Sequence, residues 1–507
     1  MRKLAVLLAA VSIAALVAVG CGNDEAASSA SSLAPASSLI YGEVNLKPEG
    51  DQKKAVDTIV SKFPGEGSAS DRLKALVDAA LRDSDTGISY EDDVEPWLGD
   101  EAAFFVFGKQ MDQNALLLAA DDEDKAQEAL EKSAEGKVTK KTYRDVEYVM
   151  DEAEETNTGA VFDGFVVLGT EGGVKAAIDT SKGDSPLADS DDYTGAIDEV
   201  SDDRLGLVYI NSPQLLKDNT NAAAGVPENF KRVFEQPTVI TVDADRDGVV
   251  FEGSLPEATA DTLPFLGQGS ELIEDLPADS WLALAQPDFD KTLDFFIESI
   301  AGFAGGRDVV EQQFKAATGL DLQRDVLDWM GDFAVFVRGS GESNVNGALI
   351  IETSDEAASG RVIERLRKLA ETQADNPGDR VVPLSAPGGG EGFTLVSPSI
   401  PRPLHLFQRG GRVVLAFGDE AAAEGVEASQ PLSESADYTQ AAESLGDYDV
   451  SFYVAVPPIL DLAESTSAAS DADWQKAKPY LEPLDALVGG TSGDGDGLKS
   501  AFKLIVK

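Results

Sequence analysis

The sequence predicts an α+β protein: two homologous copies of an antiparallel-sheet-plus-helices domain, placed after a cleaved signal and a flexible tether. Three observations predict it. The chain opens on a basic-then-apolar leader that stops at its only cysteine. A tryptophan-centred block occurs twice, 232 residues apart. Strand-length apolar runs and helical stripes follow one another in the same order in both halves.

The leader comes first. Arg2 and Lys3 precede an uncharged run, Leu4 to Gly20, which ends at Cys21-Gly22-Asn23-Asp24-Glu25. This is the plan of a secretory signal. The run is short for a membrane span, which needs roughly 17–25 residues, so cleavage is expected rather than a permanent helix. Ala18-Val19-Gly20-Cys21 resembles a lipobox: Gly20 fits the small residue before the cysteine, and Ala18 departs from the usual leucine. The expected product has residues 1–20 removed as a lipoprotein signal and a diacylglyceryl group on Cys21. Acyl chains contribute about 0.8 kcal/mol per buried CH₂. They would hold the protein on the cell membrane, on its extracytoplasmic side. Residues 21–38, rich in Ser and Ala, are expected to form a flexible tether.

Composition narrows the partners. Ninety-one acids against 41 bases give a net charge of −50, spread along the chain. Such a body repels nucleic acid and anionic headgroups and favours cations or basic partners. One cysteine allows no internal disulfide, so stability rests on burial. An apolar fraction of 43% supports real cores.

The clearest repeat runs from Gly87 to Phe104 and again from Gly319 to Phe336. Ser89 and Asp321 can cap a short helix. Val94, Trp97 and Leu98 share a face at i, i+3, i+4, as do Val326, Trp329 and Met330. Gly99 and Gly331 are expected to stop these helices in a left-handed conformation. A buried strand follows each, Ala102 to Phe107 and Phe333 to Val337. Further pairs keep the order. Val56, Ile59, Val60 and Phe63 match Leu293, Phe296, Ile297 and Ile300 as helical stripes. The hairpin around Asp163-Gly164 matches the one around Gly410-Gly411. Asp192-Tyr193-Thr194 matches Asp437-Tyr438-Thr439, and final hairpins turn at Asp247-Gly248 and Asp496-Gly497. The expected boundaries are copy 1 over 39–256, a linker over 257–272 and copy 2 over 273–507.

These blocks resemble a bacterial family known as domain of unknown function 3352. Leu276-Pro277-Ala278-Asp279-Ser280, the Trp-Leu-Gly and Trp-Met-Gly blocks and the late Asp-Gly hairpins carry the resemblance, which would cover nearly the whole mature chain. It implies an envelope-associated, lipid- or membrane-anchored protein. The family has no assigned activity, so no site residue carries over.

Candidate sites were weighed against plain structure. Asp243, Asp245 and Asp247 resemble the start of a calcium loop, but Ser254 stands where the closing Glu should be. Strands read on both sides of them, so a hairpin is favoured. Asp121-Asp122-Glu123-Asp124 and Ser354-Asp355-Glu356 precede helices and suit the macrodipole. His405 is the only histidine and reads as a strand residue. No Gly-x-Ser-x-Gly occurs, and Gly388-Gly389-Gly390-Glu391-Gly392 lacks the lysine of a phosphate loop. Trp97 and Trp329 read as core. No catalytic residue and no cofactor are assigned. The reading is a non-catalytic binding or scaffolding module with an envelope protein or ligand as partner. The alternatives are a carboxylate-dependent hydrolase of envelope carbohydrate and a calcium-dependent binding protein.

Overall fold

The computed structural model describes residues 30–507 apart from 66, 84–87, 134–137, 152–157, 199, 202–203, 219–230, 232–233, 256–268, 374–377, 385–389 and 494–497. Cys21 and the leader lie outside the described residues. The chain forms two compact units, Met1–Ala223 with Phe234–Gly253, and Ala224–Val233 with Ser254–Lys507.

The first unit is built on ten strands: β1 Ile40–Asn45, β2 Leu98–Phe107, β3 Gln113–Ala120, β4 Val138–Tyr143, β5 Val146–Asp151, β6 Thr158–Phe162, β7 Phe165–Gly169, β8 Gly206–Ile210, β9 Thr238–Ala244 and β10 Gly248–Leu255. Their pairings give the order β4-β5-β6-β7-β3-β2-β1-β8-β9-β10. The second unit has β11 Ser280–Gln286, β12 Met330–Arg338, β13 Asn346–Thr353, β14 Arg380–Pro383, β15 Glu391–Val396, β16 Leu404–Arg409, β17 Arg412–Phe417, β18 Asp449–Ala455, β19 Leu484–Gly493 and β20 Leu498–Val506. Their order is β14-β15-β16-β17-β13-β12-β11-β18-β19-β20, the same path from strand to strand. Every one of these registered pairs is antiparallel, so the α+β class with antiparallel sheet holds.

Apolar residues cover both faces of the first sheet. On one face Tyr41, Phe105, Leu117, Val167 and Tyr209 pack under the helix Glu171–Ser181 through Val174, Ala177 and Ile178. On the other, Ala102, Leu116, Leu118 and Val166 pack against Val94, Trp97, Ala126 and Leu130. Tyr193 packs edge-on to Tyr209 (5.2 Å, 82°), as Tyr438 does to Tyr453 in the second unit (5.4 Å, 88°).

The tight turns follow from backbone freedom. Asp163 and Gly164 have φ of 48° and 77°, and Gly410 and Gly411 have 58° and 76°. Two successive positive φ values make the turn whose twist suits a two-residue hairpin. Ser89 and Asp321 cap as expected, accepting from the amides of Asp92 and Arg324.

Three expectations need correction. Gly99 and Gly331 do not end helices in the left-handed region; both lie in strands, β2 and β12. The chain passes into a bulged strand without the αL residue that a helix stop would need, and Gly99 is required for closeness. A Cβ there would stand 2.7 Å from the Ala119 Cβ and 3.0 Å from its backbone. The tether does not extend to residue 38. Ala30–Ser32 forms a 3₁₀ turn, and Ala30, Leu33 and Ala34 are buried beside Tyr41 and Tyr193, because alanine and leucine here find an apolar face to cover. The linker likewise ends before 272: Ser270, Leu272 and Ile273 are buried, with Ser270 capping a 3₁₀ turn. The stripe of Leu293, Phe296, Ile297 and Ile300 lies on a helix as expected, and its face is partly open. The helix Phe289–Ala304 buries Thr292, Phe295 and Ala301, while Phe296, Ile300 and Phe303 are 47%, 59% and 74% exposed. Its counterpart Gly50–Ser61 buries Val56, Ile59 and Val60, and Gln52 bonds the β9 end at the Ala244 amide, 3.0 Å.

The two glycines separate experimentally. Gly99→Ala should cost about 1–3 kcal/mol through overpacking. Gly331→Ala, whose nearest contact would be 3.5 Å, should be close to neutral in urea unfolding.

Candidate functional site

Strand periodicity places one polar cluster inside the first unit. Residues 41 and 43 of β1 point to the same face as 101, 103 and 105 of β2. Tyr41, Ala103 and Phe105 belong to the core there, and Glu43 and Glu101 share that face. The Tyr41 hydroxyl donates to Glu43 Oε2 at 2.8 Å. Arg204, just before β8, forms an ion pair with Glu43, both side chains being about 15% exposed or less. The Ala30 amide lies 3.1 and 3.2 Å from the two carboxylate oxygens of Glu101.

Burial pushes the Glu101 carboxyl up to about 7, with Glu43 and Asp100 adding repulsion; the Ala30 N–H and Arg204 act in the opposite direction. Burial also raises the Tyr41 and Tyr193 hydroxyls, so both stay protonated. By strand register Glu43 corresponds to Ala285 and Glu101 to Asp332, while Phe333 takes the place of Ala102 on the other face of the sheet. The second unit therefore has a buried alanine in place of Glu43 and keeps a carboxylate in place of Glu101, with Ser270 Oγ donating to Asp332 at 2.6 Å.

Residues singled out from sequence fall elsewhere. Asp245 Oδ1 accepts from the amides of Asp247 and Gly248 at 3.0 and 2.9 Å, closing the β9–β10 turn. Asp243 Oδ1 lies 3.4 Å from Gln52 Nε2. These three aspartates do not converge, and among the described residues no group of three His, Cys, Asp or Glu side chains could hold a metal ion. The Asp494 to Gly497 turn lies outside the described residues.

The acidic starts tie helices to hairpins. Asp122 and Asp355 accept from the amides of Lys125 and Ala358 at 3.1 and 2.9 Å. Glu123 and Glu356 accept from the turn amides of Gly164 and Gly411 at 2.6 and 3.1 Å. Trp97 and Trp329 are core, their indole N–H groups donating to the carbonyls of Asp93 and Asp325.

His405 is fully buried in β16. Its Nδ1 lies 2.9 Å from Thr394 Oγ1 and its Nε2 3.0 Å from Asp419 Oδ1. Burial lowers its pKa, with Asp419 opposing, so the ring is neutral near pH 7.

Sequence reasoning missed Glu43, Glu101 and Arg204. The available signal was Glu43 at an inward strand position where the second unit has Ala285.

Comparison with known proteins adds the family. The sequence model of the family described as "Protein of unknown function (DUF3352)" matches residues 4–379. The chain belongs to this family. The match ends within the second unit, short of the near-complete coverage expected. No curated protein matches. Two crystal forms of the protein TP0453 are similar at 10% and 11% identity with TM-scores of 0.25, covering 44% and 46% of this chain and 77% and 82% of that one. An overlap at that level assigns neither fold nor function. No described helix is long and apolar enough to cross a membrane.

Two predictions follow from the cluster. Arg204→Met leaves Glu43 buried without its cation and should cost about 3–5 kcal/mol in urea unfolding. For Glu101 the folded value exceeds the ordinary 4.5, so the folded chain holds the extra proton. That contribution is complete below about pH 4.5 and is lost as pH rises through about 7. Glu101→Gln should remove this term, at most about 3 kcal/mol, so that the wild type loses stability relative to the variant between pH 4.5 and 8.

Proposed function

We propose that this is a lipid-anchored cell-envelope protein of the extracytoplasmic face, whose two sheet units are copies of one domain and serve as a non-catalytic binding or scaffolding body. The common strand order supports the duplication, as do the matching tyrosine pairs and the helix-to-hairpin glutamates.

The observation that carries the anchored reading is the basic-then-apolar leader that stops at Cys21. Nine residues after Cys21 the chain is already built into a core. An acylated Cys21 would then hold the first unit within about 30 Å of the lipid, at roughly 3.3–3.6 Å per residue. A net charge of −50 favours basic partners over nucleic acid.

The Glu43–Glu101 pair favours a second reading, a carboxylate-dependent hydrolase of envelope carbohydrate, since glycoside cleavage uses one protonated and one ionised carboxyl group. Against it, the Ala30 amide occupies the Glu101 oxygens and Arg204 occupies Glu43.

Mass spectrometry of protein from its native host should find acyl groups on Cys21, and Cys21→Ser should move the protein from the membrane to the soluble fraction. A bare thiol on membrane-free protein would overturn the anchor. Capture of a partner with the intact envelope complex is expected. Turnover of a defined glycan, abolished by Glu101→Gln, would replace scaffolding with catalysis.

A further inference from the structure

The helix Phe289–Ala304 carries two apolar faces. One belongs to the core of its unit: Thr292, Phe295 and Ala301 are buried. The other is a seam of Phe289, Leu293, Phe296, Ile300 and Phe303, spaced alternately by four and three residues. That is the a/d repeat by which one helix seats its side chains in another. The seam starts in the core, where Phe289 lies 4.4 Å from Phe333 between ring centroids. It then leaves the core, because Phe296, Ile300 and Phe303 are progressively more exposed toward the helix C-terminus. The sequence-matched stripe of the first unit is closed, with Val56, Ile59 and Val60 all buried.

The charges beside the seam decide what can cover it. This helix and the next, Arg307–Thr318, carry five acids, Asp290, Asp294, Glu298, Asp308 and Glu311, against three bases. Each base is already engaged. Lys291 pairs with Asp288 at 2.7 Å and Lys315 with Asp321 at 3.5 Å. Arg307 pairs with Asp294, Glu298 and Glu311 at 2.6, 2.7 and 2.7 Å. A helix lying on a membrane carries the opposite sign, with lysine and arginine beside its apolar face to meet anionic headgroups. A second copy of this chain would bring the same acids and a further net charge of −50.

We propose that the Phe296–Ile300–Phe303 seam is the docking site for an amphipathic helix of a partner protein, apolar at a and d with lysine or arginine beside them. The inference rests on the reading of the protein as a binding body and gives that reading a surface. The apolar seam supplies the buried contact, as an amphipathic helix laid in a groove requires. The three carboxylates that share the Arg307 guanidinium supply acceptors for the incoming cations.

Fluorescence anisotropy of a labelled peptide of about three heptads, with Leu at a and d and Lys at e and g, tests this on the full chain. The peptide should bind, and a version with Glu at e and g should not. Ile300→Ser with Phe303→Ser keeps every charge in place and should weaken binding by about 10-fold or more. Both residues are exposed, so the urea midpoint should hold. Phe303→Ser alone is the second variant and should weaken binding in part. Equal binding of the two peptides, or unchanged affinity in both variants, would overturn the proposal. So would flotation of the Cys21→Ser chain with phospholipid vesicles, or a dimer in sedimentation equilibrium, that the double substitution abolishes; the first would assign the seam to lipid and the second to another copy. An envelope partner captured equally by wild type and double variant would overturn the seam and leave the binding reading intact. Capture of none by either chain would overturn the binding reading and the seam with it.

Discussion

Both faces of the central strands are covered, and this constraint governs everything else in each unit. A covered strand has no outward side on which to leave a charge in water, so its inward positions become apolar in both directions. Leu116, Leu117 and Leu118 on β3 are all buried, as are Phe165, Val166 and Val167 on β7. Such strands read as continuous apolar runs rather than alternating ones. Against that background a carboxylate on an inward position is costly unless something satisfies it. Glu43 occupies such a position in the first unit, where the second has Ala285.

The comparison between the units therefore carries more information than either alone. They share strand order, turn geometry, tyrosine packing and the bridges Pro35 to Pro186 and Pro277 to Pro431. They differ where Tyr41 and Glu43, the latter paired with Arg204, stand in place of Ala283 and Ala285. The polar version is internally satisfied: a hydroxyl and a guanidinium on Glu43, an amide on Glu101. Its groups face one another and residues 30–38, an arrangement that suits fastening a segment better than turning over a substrate.

Much of the fold was legible because its signals are local. The Asp163-Gly164 and Gly410-Gly411 turns, the caps at Ser89 and Asp321 and the buried tryptophans each depend on a few neighbouring residues. Gly99 was misread because glycine serves both a left-handed stop and a close approach, and only the partner strand, with Ala119 opposite, distinguishes them. Residues 30–38 look solvated from their Ser- and Ala-rich composition, whereas small side chains also fit flat against a sheet. The open stripe on Phe289–Ala304 follows the helical period correctly; periodicity finds an apolar face without saying how fully it is covered. The Glu43–Glu101–Arg204 cluster joins residues up to 161 positions apart, a separation no local pattern spans.

The outer strands β4 and β14 each have one partner among the described residues. An unpaired edge invites another polypeptide to add itself. Here β4 carries Lys140 and Lys141, and β14 is four residues long and ends in Pro383. A lysine pair would have to be stripped of water by an incoming chain, and a proline offers it no amide. These borders are thereby poor templates for a neighbouring molecule's strand.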